Sequence, residues 1–356
     1  MKIRRISTWT EHFELSRPYT IAFRTVDSVR NGFVRIETDD GSTGLGCASP
    51  EEFVTGETWE ACDAALAQPA LQWLVGRGVC DLAALCRELR ERFPGAPAAR
   101  AAVDIALHDL WAKQLGMPLA DALGRAHTAL PTSITIGIKD AAATVDEAGE
   151  YLERGFGVLK VKLGHSLDDD IERLHRLRDF AGETVVIRVD PNQGYTAHEV
   201  VRFVELTAGL GIEFLEQPMG AGDVDAMRAL PDAVKDRLAA DETLLDESDA
   251  LALVEPPRAC GIFNIKLMKC GGVHAARRIA AIAETAGVEL MWGCMDESVV
   301  SIAAALHAAF SCPATRYLDL DGSRDLARDV ADGGFLLEDG VMRTLDAPGL
   351  GVTLRG

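Results

Sequence analysis

Several features that mark other classes of protein are missing from this sequence. No uncharged run approaches the roughly 20 residues of a membrane-spanning helix, and the first segment, with Thr8, Glu11 and Glu14, lacks the apolar core of a signal peptide. Low-complexity tracts are also missing, and 48% of the 356 residues are hydrophobic against 26% that are charged. These absences predict a globular, cytoplasmic protein that does not contact membranes.

Disulfide bonds and zinc centres are not indicated either. The eight cysteines include no C-x-x-C pair, and several lie in apolar runs, where reduced cysteine packs as a small hydrophobic residue. Positive charge is scarce, because 36 Lys and Arg stand against 55 Asp and Glu and give a net charge of −19. This excess argues against nucleic acids and anionic membranes as partners and favours cationic small molecules.

The first part of the chain has the pattern of an α+β unit. Residues 33–37 and 43–47 flank Asp39-Asp40-Gly41-Ser42, a sequence typical of a β-hairpin. Helices are predicted from the spacing of apolar residues over residues 57–74, 81–92 and 97–115.

After residue 130 the pattern changes to short apolar runs, each followed by a helical segment, as in parallel β/α units. The runs cover residues 132–138, 158–162, 185–190, 212–216, 237–241, 261–266, 288–293 and 315–319. Eight such units close into a barrel. We therefore predict an α/β protein with a (β/α)7β TIM-like barrel in residues 126–321. An α+β capping domain in residues 1–125 is completed by the tail, residues 322–356, in which residues 323–330 are predicted to form a weak helix.

Most of these runs end in ionisable residues, which are Lys160, Lys162, Asp190, Glu216, Asp241, Lys266, Asp319 and Asp321. Because the carboxyl ends of barrel strands meet at one mouth, Asp190, Glu216 and Asp241 should converge and repel one another. A hard cation that prefers oxygen ligands relieves this repulsion, so we expect Mg²⁺, with Mn²⁺ as a substitute. The alternative, that each acid caps a helix or pairs with a nearby base, explains one such residue more readily than three.

Lysines occur on both sides of the predicted mouth. Lys160 and Lys162 are two residues apart on one strand, so their side chains share a face, and each ammonium should lower the pKa of the other toward that of a general base. Lys266 comes four strands later, across the mouth, where it reaches the opposite face of a substrate. Surface lysines on loops are the alternative, but the apolar residues 261–265 before Lys266 argue against it.

These motifs resemble those of the enolase superfamily, muconate-lactonizing-enzyme subgroup, and within it the dipeptide epimerases. Residues 101–110, followed by Gly116, Pro118 and Gly124, resemble the last capping helix. The barrel motifs, in the family's order, are Lys160-Val161-Lys162, Asp190-Pro191-Asn192, Leu215-Glu216-Gln217-Pro218, Ala240-Asp241-Glu242 and Asn264-Ile265-Lys266. The resemblance implies three Mg²⁺ ligands (Asp190, Glu216 and Asp241), an acid/base pair (Lys162 and Lys266) and a carboxylate-binding lysine (Lys160).

The resemblance also suggests where a substrate binds. Asp319-Leu320-Asp321 is similar to the D-x-D of dipeptide epimerases, whose two carboxylates hold the α-ammonium group of the N-terminal residue. Thr135 has the place of a family substrate contact, and Arg24 is expected to pair with the substrate carboxylate.

Two acidic segments bear on which dipeptide is used. Asp296 lies in a segment that resembles the family's Gly-x-Met-x-Glu-Ser and so is expected beside the bound dipeptide. Glu51 and Glu52 follow the hairpin, where capping loops of this subgroup cover the barrel mouth. Acids at both places predict a preference for Lys- or Arg-containing dipeptides, although Glu51 and Glu52 can also be read as solvated loop charges.

The implied reaction is a 1,1-proton transfer through an enediolate that converts an L,L-dipeptide to the L,D form. The same lysines and metal serve muconate-type cycloisomerases, o-succinylbenzoate synthases and N-acylamino acid racemases, which stay open as alternatives. A Schiff-base aldolase is less compatible with the acidic triad, and a non-catalytic metal- or peptide-binding barrel would not need the lysines. The predicted partner is a small dipeptide, and assembly as a homo-oligomer is left open.

Overall fold

A computed structural model describes residues 1–21 and 24–355, and the side chains of Ile21 and Arg24 are not part of this description. The chain begins with an antiparallel sheet in the order β1 (Ile3–Ile21), β2 (Arg24–Thr38) and β3 (Thr43–Ala48). The predicted hairpin is confirmed as β2 and β3. β1 was not predicted, because polar and charged residues separate its buried apolar side chains.

Helices follow the sheet: α1 (Glu52–Thr55), α2 (Trp59–Leu66), α3 (Gln68–Leu71), α4 (Leu82–Arg92), α5 (Pro97–Leu115) and α6 (Leu119–Leu123). The prediction of one helix over residues 57–74 is wrong. The backbone leaves the helical region at Ala67, with ψ of 137°, and Pro69 lies in the first turn of the next helix, where its missing N–H costs no hydrogen bond.

The barrel is an eight-stranded parallel sheet that follows a short strand, β4 (Leu130–Pro131). Its strands are β5 (Ile134–Ile136), β6 (Val158–Lys162), β7 (Val186–Asp190), β8 (Ile212–Glu216), β9 (Leu238–Ala240), β10 (Ile262–Ile265), β11 (Glu289–Trp292) and β12 (Thr315–Leu318). A parallel bridge between Thr132 and Leu318, with a 3.0 Å hydrogen bond from the Ser133 N–H to the Leu318 carbonyl, joins the two ends of the sheet. The predicted TIM-like barrel is therefore confirmed, with strand ends within a few residues of the predicted runs.

Helices alternate with these strands: α7 (Ala141–Glu153), α8 (Leu167–Ala181), α9 (Ala197–Leu206), α10 (Val224–Ala229), α11 (Asp232–Lys235), α12 (Glu247–Val254), α13 (Leu267–Cys270), α14 (Val273–Ala286) and α15 (Val299–Phe310). Most present a polar face to solvent, whereas α15 is buried along almost its whole length. Among the described residues, no helix combines the length and apolarity that a bilayer crossing demands.

The tail after the barrel holds β13 (Ala331–Gly333), β14 (Phe335–Glu338), β15 (Val341–Thr344) and β16 (Val352–Leu354), as expected for turns and short strands. The predicted helix over residues 323–330 is wrong, since only Gly322–Arg324 form a 3₁₀ turn there. The Asp329 carboxylate accepts hydrogen bonds from the N–H groups of Val330 and Ala331, and such local bonds compete with a helix.

The tail also contacts the first domain. The buried Asp109 carboxylate of α5 accepts from the Leu45 N–H of β3 at 3.1 Å and from the Leu350 N–H of the tail at 2.9 Å. One side chain thus joins a sheet, a helix and the end of the chain. The predicted domain boundaries at residues 125 and 321 stay predictions.

Helix α5 crosses β3 at very close range. A Cβ atom on Gly46 would lie 1.7 Å from the Ala102 carbonyl oxygen, and one on Gly44 would lie 2.2 Å from the Ala106 carbonyl oxygen. Ala102 and Ala106 are one helical turn apart, so small residues on both elements allow their backbones to meet. Larger side chains there would push the helix off the sheet.

We expect Gly46→Ala to destabilise the protein by about 1–3 kcal/mol or more, because the new methyl group meets backbone rather than a movable side chain. Thermal unfolding followed by circular dichroism measures the change. Gly95→Ala is the matched control, since a Cβ there meets nothing within 4 Å. Equal melting temperatures for the two variants would contradict the close-packing argument.

Candidate active site

A cavity of about 550 Å³ lies over the carboxyl ends of the barrel strands, between the barrel and the capping domain. Its wall includes the predicted site residues Thr135, Lys160, Lys162, Lys266, Asp296, Asp319 and Asp321. The capping domain contributes Tyr19 and the predicted Glu51 and Glu52, the last of which begins α1 instead of lying in a loop. The side chain of Arg24 falls outside the described residues.

Behind the cavity lysines lies a cluster of three carboxylates, Asp190, Glu216 and Asp241, each at most 1% exposed. Lys162 Nζ lies 2.6 Å from Asp190 Oδ2, on the side of β6 and β7. Lys266 Nζ lies 2.7 Å from Asp241 Oδ2, on the opposite side of the ring. The three acids predicted to converge are therefore brought together, with a lysine on each side.

The carboxylates of this cluster titrate differently because their neighbours differ. Burial, together with the charge of Asp190, raises the pKa of Glu216 to about 8. Burial also opposes ionisation of Asp190 and Asp241, but nearby lysines outweigh it and hold the pKa of both carboxyl groups below the usual range. Ionisation of Glu216 is therefore opposed even with lysines nearby, whereas ionisation of Asp190 and Asp241 is favoured.

Lys160 corrects one expectation from the sequence. Its Nζ lies 2.7 Å from Glu216 Oε2, 2.7 Å from Asp319 Oδ2 and 3.4 Å from Asp190 Oδ2. Burial alone would lower the pKa of Lys160, but these three carboxylates raise it well above the ordinary lysine value. The predicted lowering by its neighbour Lys162 is wrong for Lys160, because anions from three other strands outweigh one cation on its own strand.

The donor atoms around the cluster fit a hard divalent cation. They are all oxygens, and Glu242, next to Asp241, adds a fourth buried carboxyl group whose pKa burial and Asp241 raise to about 7. Among the described residues, none donates a hydrogen bond to Glu242 Oε2 or to Asn192 Oδ1, although both atoms are buried. Buried oxygens without donors are suited to a cation or its bound water, so Asp190, Glu216 and Asp241 could hold Mg²⁺.

The predicted D-x-D pair lies just beyond β12, which ends at Leu318. Asp319 Oδ1 accepts a 2.6 Å hydrogen bond from Ser133 Oγ, and Asp321 Oδ2 accepts a 2.8 Å hydrogen bond from the Thr135 N–H. Burial and Asp319 raise the pKa of Asp321 to about 6. The two carboxylates thus share one wall of the cavity, fixed by groups from the start of the barrel.

Contacts from the capping domain fix Asp296. Its carbonyl accepts hydrogen bonds from Asn31 Nδ2 and Ser49 Oγ, both at 3.1 Å, and its Oδ2 accepts one from Tyr19 Oη at 2.8 Å. Asp296 therefore reaches the cavity in an orientation that the cap determines. None of these three cap residues was singled out from the sequence, since they lie more than 240 residues away along the chain.

Lys269 was also missed, and Asn264, quoted as part of a motif, was given no role. Lys269 is buried and forms an ion pair with Asp241, and Asn264 Nδ2 donates to Glu216 Oε1 at 2.8 Å. Both belong to the segment around Lys266, so their proximity in sequence was an available signal. Asp325 lines the cavity as well, and burial followed by Asp321 raises its pKa to about 8.

A barrel of this kind, with lysines facing each other across a buried carboxylate cluster, is typical of enzymes that move a proton next to a carboxylate. Residues 143–356 match the family described as enolase C-terminal domain-like, and residues 4–124 match the mandelate racemase / muconate lactonizing enzyme N-terminal domain. The chain belongs to the enolase superfamily, as its motifs predicted.

Individual relatives cover nearly the whole chain. The L-Lys-D/L-Arg epimerase of Methylococcus capsulatus is 62% identical over 99% of each chain. A crystal structure of a dipeptide epimerase from that organism, complexed with Mg and the dipeptide L-Arg-D-Lys, has a TM-score of 0.98, 62% identity and coverage of 99% and 100% of the two chains. The N-succinyl-L-Arg/Lys racemase of Bacillus cereus is 30% identical over 99% of this chain and 96% of its own.

Magnesium should stabilise the folded protein through the buried carboxylates. At a concentration about 100 times its dissociation constant, the ion adds about 2.7 kcal/mol to stability, which raises the melting temperature by a few degrees. We expect Glu216→Gln to lose most of this shift in differential scanning fluorimetry, whereas Glu205→Gln, at an exposed position on α9, should keep it. A full shift in Glu216→Gln would exclude Glu216 from the metal site.

Proposed function

We propose that this protein is a dipeptide epimerase that inverts the α-carbon of the C-terminal residue of L,L-dipeptides and prefers cationic ones. The observation that carries the proposal is a cavity bounded by lysines on two opposite sides, with paired aspartates on a third wall. The relatives support the reaction, since two that match nearly the whole chain, at 62% and 30% identity, are an epimerase and a racemase of amino acid derivatives.

Asp190, Glu216 and Asp241 would hold the metal ion, which when bound stabilises negative charge on the substrate carboxylate as the α-proton leaves. Because these three carboxylates are buried, water is excluded from the side of the site that lies away from the cavity. Lys160, whose Nζ lies 2.7 Å from Glu216 Oε2, would provide fixed positive charge beside the substrate carboxylate.

Lys162 and Lys266 would move the proton. One ε-amino group removes the α-proton from one face of the substrate, and the other ε-ammonium delivers a proton to the opposite face, so that the centre is inverted. Lys162 is the last residue of β6 and Lys266 follows β10, four strands away in a ring of eight, which supports this division.

Asp319 and Asp321 would bind the α-ammonium group of the N-terminal residue. Ser133 and the Thr135 N–H already hold one oxygen of each carboxylate. Together the two carboxylates can accept charge-assisted hydrogen bonds from one ammonium group. An N-succinyl amino acid carries an additional carboxylate at that position instead of an ammonium group. This wall of the cavity therefore favours a dipeptide over the N-acylamino acid used by the Bacillus cereus relative.

Cationic side chains would meet the acids at the cavity entrance. Glu51, Glu52 and Asp296 line the cavity together with Asp325, within a chain that already carries a net charge of −19. The names of the Methylococcus capsulatus relative and of its bound dipeptide agree with this preference. Long-range attraction steers cations to such a mouth, and closure of the cap strengthens the ion pairs.

The two lysines should be separable by hydrogen isotope exchange. In ²H₂O, Lys162→Ala and Lys266→Ala should each stop epimerisation, because one of the two proton transfers is lost. Each variant can retain exchange of the α-proton in only one diastereomer, and the two variants should retain opposite ones. Proton NMR and mass spectrometry of separate L,L and L,D substrates measure this.

Lys2→Ala, at an exposed position in the capping domain, is the control and should epimerise both forms normally. Epimerisation at the parent rate by either active-site variant would rule out the assignment of two bases.

Substrate preference should depend on the acids at the entrance. We expect a library of L,L-dipeptides, screened by mass increase in ²H₂O, to rank Lys- and Arg-containing dipeptides above Ala-Glu. Asp296→Asn and Glu51→Gln should each reduce kcat/KM for cationic dipeptides relative to Ala-Glu by about tenfold, which corresponds to about 1.4 kcal/mol for one partly desolvated ion pair.

Glu91→Gln, at an exposed position on α4, provides the control for loss of one negative charge. If Glu91→Gln changed the ranking as much as Asp296→Asn does, the preference would come from net charge and not from contact. If Ala-Glu ranked first in the parent protein, the cationic preference would be refuted while epimerisation could stand.

A further inference from the structure

The carboxylates of the buried cluster have two oxygens in different surroundings. Asp190 Oδ1 accepts a 2.8 Å hydrogen bond from the Asn192 N–H, and Glu216 Oε1 accepts one of 2.8 Å from Asn264 Nδ2. Their second oxygens, Asp190 Oδ2 and Glu216 Oε2, contact the lysines that line the cavity. The first oxygen of each carboxylate is thus held by a neutral donor, and the second contacts lysine. Asp190 Oδ2 also accepts a longer hydrogen bond, 3.3 Å, from Asn192 Nδ2.

Asp241 follows the same pattern with a charged donor. Its Oδ2 contacts the cavity lysine Lys266 at 2.7 Å, whereas its Oδ1 forms an ion pair with Lys269. Lys269 Nζ also donates to the carbonyl oxygens of Asp241, at 2.6 Å, and Asn264, at 2.9 Å. Each of its three protons therefore has an acceptor within the protein.

The surroundings of Lys269 separate it from the lysines proposed to react. It lies on α13, is 3% exposed, and does not belong to the described residues that form the cavity wall. A lysine buried in this way cannot reach a substrate, but it holds the carboxylate next to it in one orientation.

We infer that Lys269 is a positioning residue that anchors Asp241 through Oδ1 and keeps its Oδ2 on the side of the cavity lysine Lys266, in an orientation in which Asp241 would help to hold the metal ion. Lys269 also supplies a counter-charge to Asp241 from the side away from the cavity, so Lys266 is not its sole cationic partner and is free to act on a substrate. Partners that orient the ligands of a metal contribute to metal affinity and to the precision of the site. The inference rests on the proposed function for the identity of the ion.

The test uses Lys269→Met, which keeps the length and removes the charge, and Lys269→Gln, which keeps a donor. Lys235→Met is the matched control, because Lys235 is 4% exposed and is paired with Asp232 on α11, outside the cavity wall. Calorimetric titration of metal-free protein with Mg²⁺, without any dipeptide, should give a dissociation constant raised about 10- to 100-fold in both Lys269 variants. Lys235→Met should match the parent protein.

A second measurement distinguishes positioning from a general loss of structure. At saturating Mg²⁺ in ²H₂O, removal of Lys269 leaves Lys266 as the ammonium partner of Asp241. Exchange of the α-proton on the face that Lys266 serves should therefore fall relative to the face that Lys162 serves. A general structural defect would lower both exchange rates together.

Unchanged Mg²⁺ affinity in a folded Lys269 variant would overturn the inference. Failure of both variants to fold, while Lys235→Met folds, would also overturn it, because Lys269 would then be needed for the barrel itself. A parent protein that binds no Mg²⁺ would refute the metal site of the proposed function, and this inference with it. Weakened Mg²⁺ binding in variants of a parent that epimerises no dipeptide would support Lys269 and refute only the proposed substrate.

Discussion

Mutual repulsion among three buried carboxylates sets the conditions for the rest of the barrel mouth. Each buried ion loses several kcal/mol of hydration even after the protein relaxes, and adjacent charges of the same sign add to this cost. Asp190, Glu216 and Asp241 can stay together only if cations lie among them, and the fold provides these from strands on both sides. Burial and the charge of Asp190 raise the pKa of Glu216, so this carboxyl group depends most on a nearby cation.

The same balance between buried carboxylates and lysines connects the structure of the site to its proposed chemistry. Lysines placed to neutralise the cluster also lie at the cavity surface, where a substrate carboxylate would join them. Asp190, Glu216 and Asp241 would hold a divalent ion that shares the role of counter-charge, so Lys162 and Lys266 would be less tightly paired with these acids and could contact a substrate. Proton transfer and metal binding would thus depend on one electrostatic arrangement, in which acids on three consecutive strands are flanked by lysines on β6 and after β10.

The sequence predicted the parts of this arrangement that repeat. Strands of a parallel barrel are apolar and end in polar residues at one mouth, so both the eight strands and the convergence of Asp190, Glu216 and Asp241 could be inferred from spacing. Contacts between residues far apart in the sequence could not be inferred from spacing. β1 pairs with β2 despite few apolar residues, and Asp329 replaces a helix with local hydrogen bonds. The pKa of Lys160 was predicted in the wrong direction because Asp319, 159 residues away in sequence, contributes more than its neighbour Lys162.

In the proposed function, the choice of side chain and the chemistry would depend on different parts of the chain. The groups proposed to bind metal and move protons lie at the ends of barrel strands, where backbone hydrogen bonds on both sides limit their movement. Asp296, in contrast, is oriented by Asn31, Ser49 and Tyr19 of the cap, so a change in a cap residue can reorient an acid that belongs to the barrel. The three acids of the cluster and the lysines beside them all belong to the barrel. Side chains of the cap can therefore vary without disturbing the balance of charge among them. Relatives with the same barrel can thus act on differently charged substrates, and the cap contacts to Asp296 are where such differences would arise in this protein.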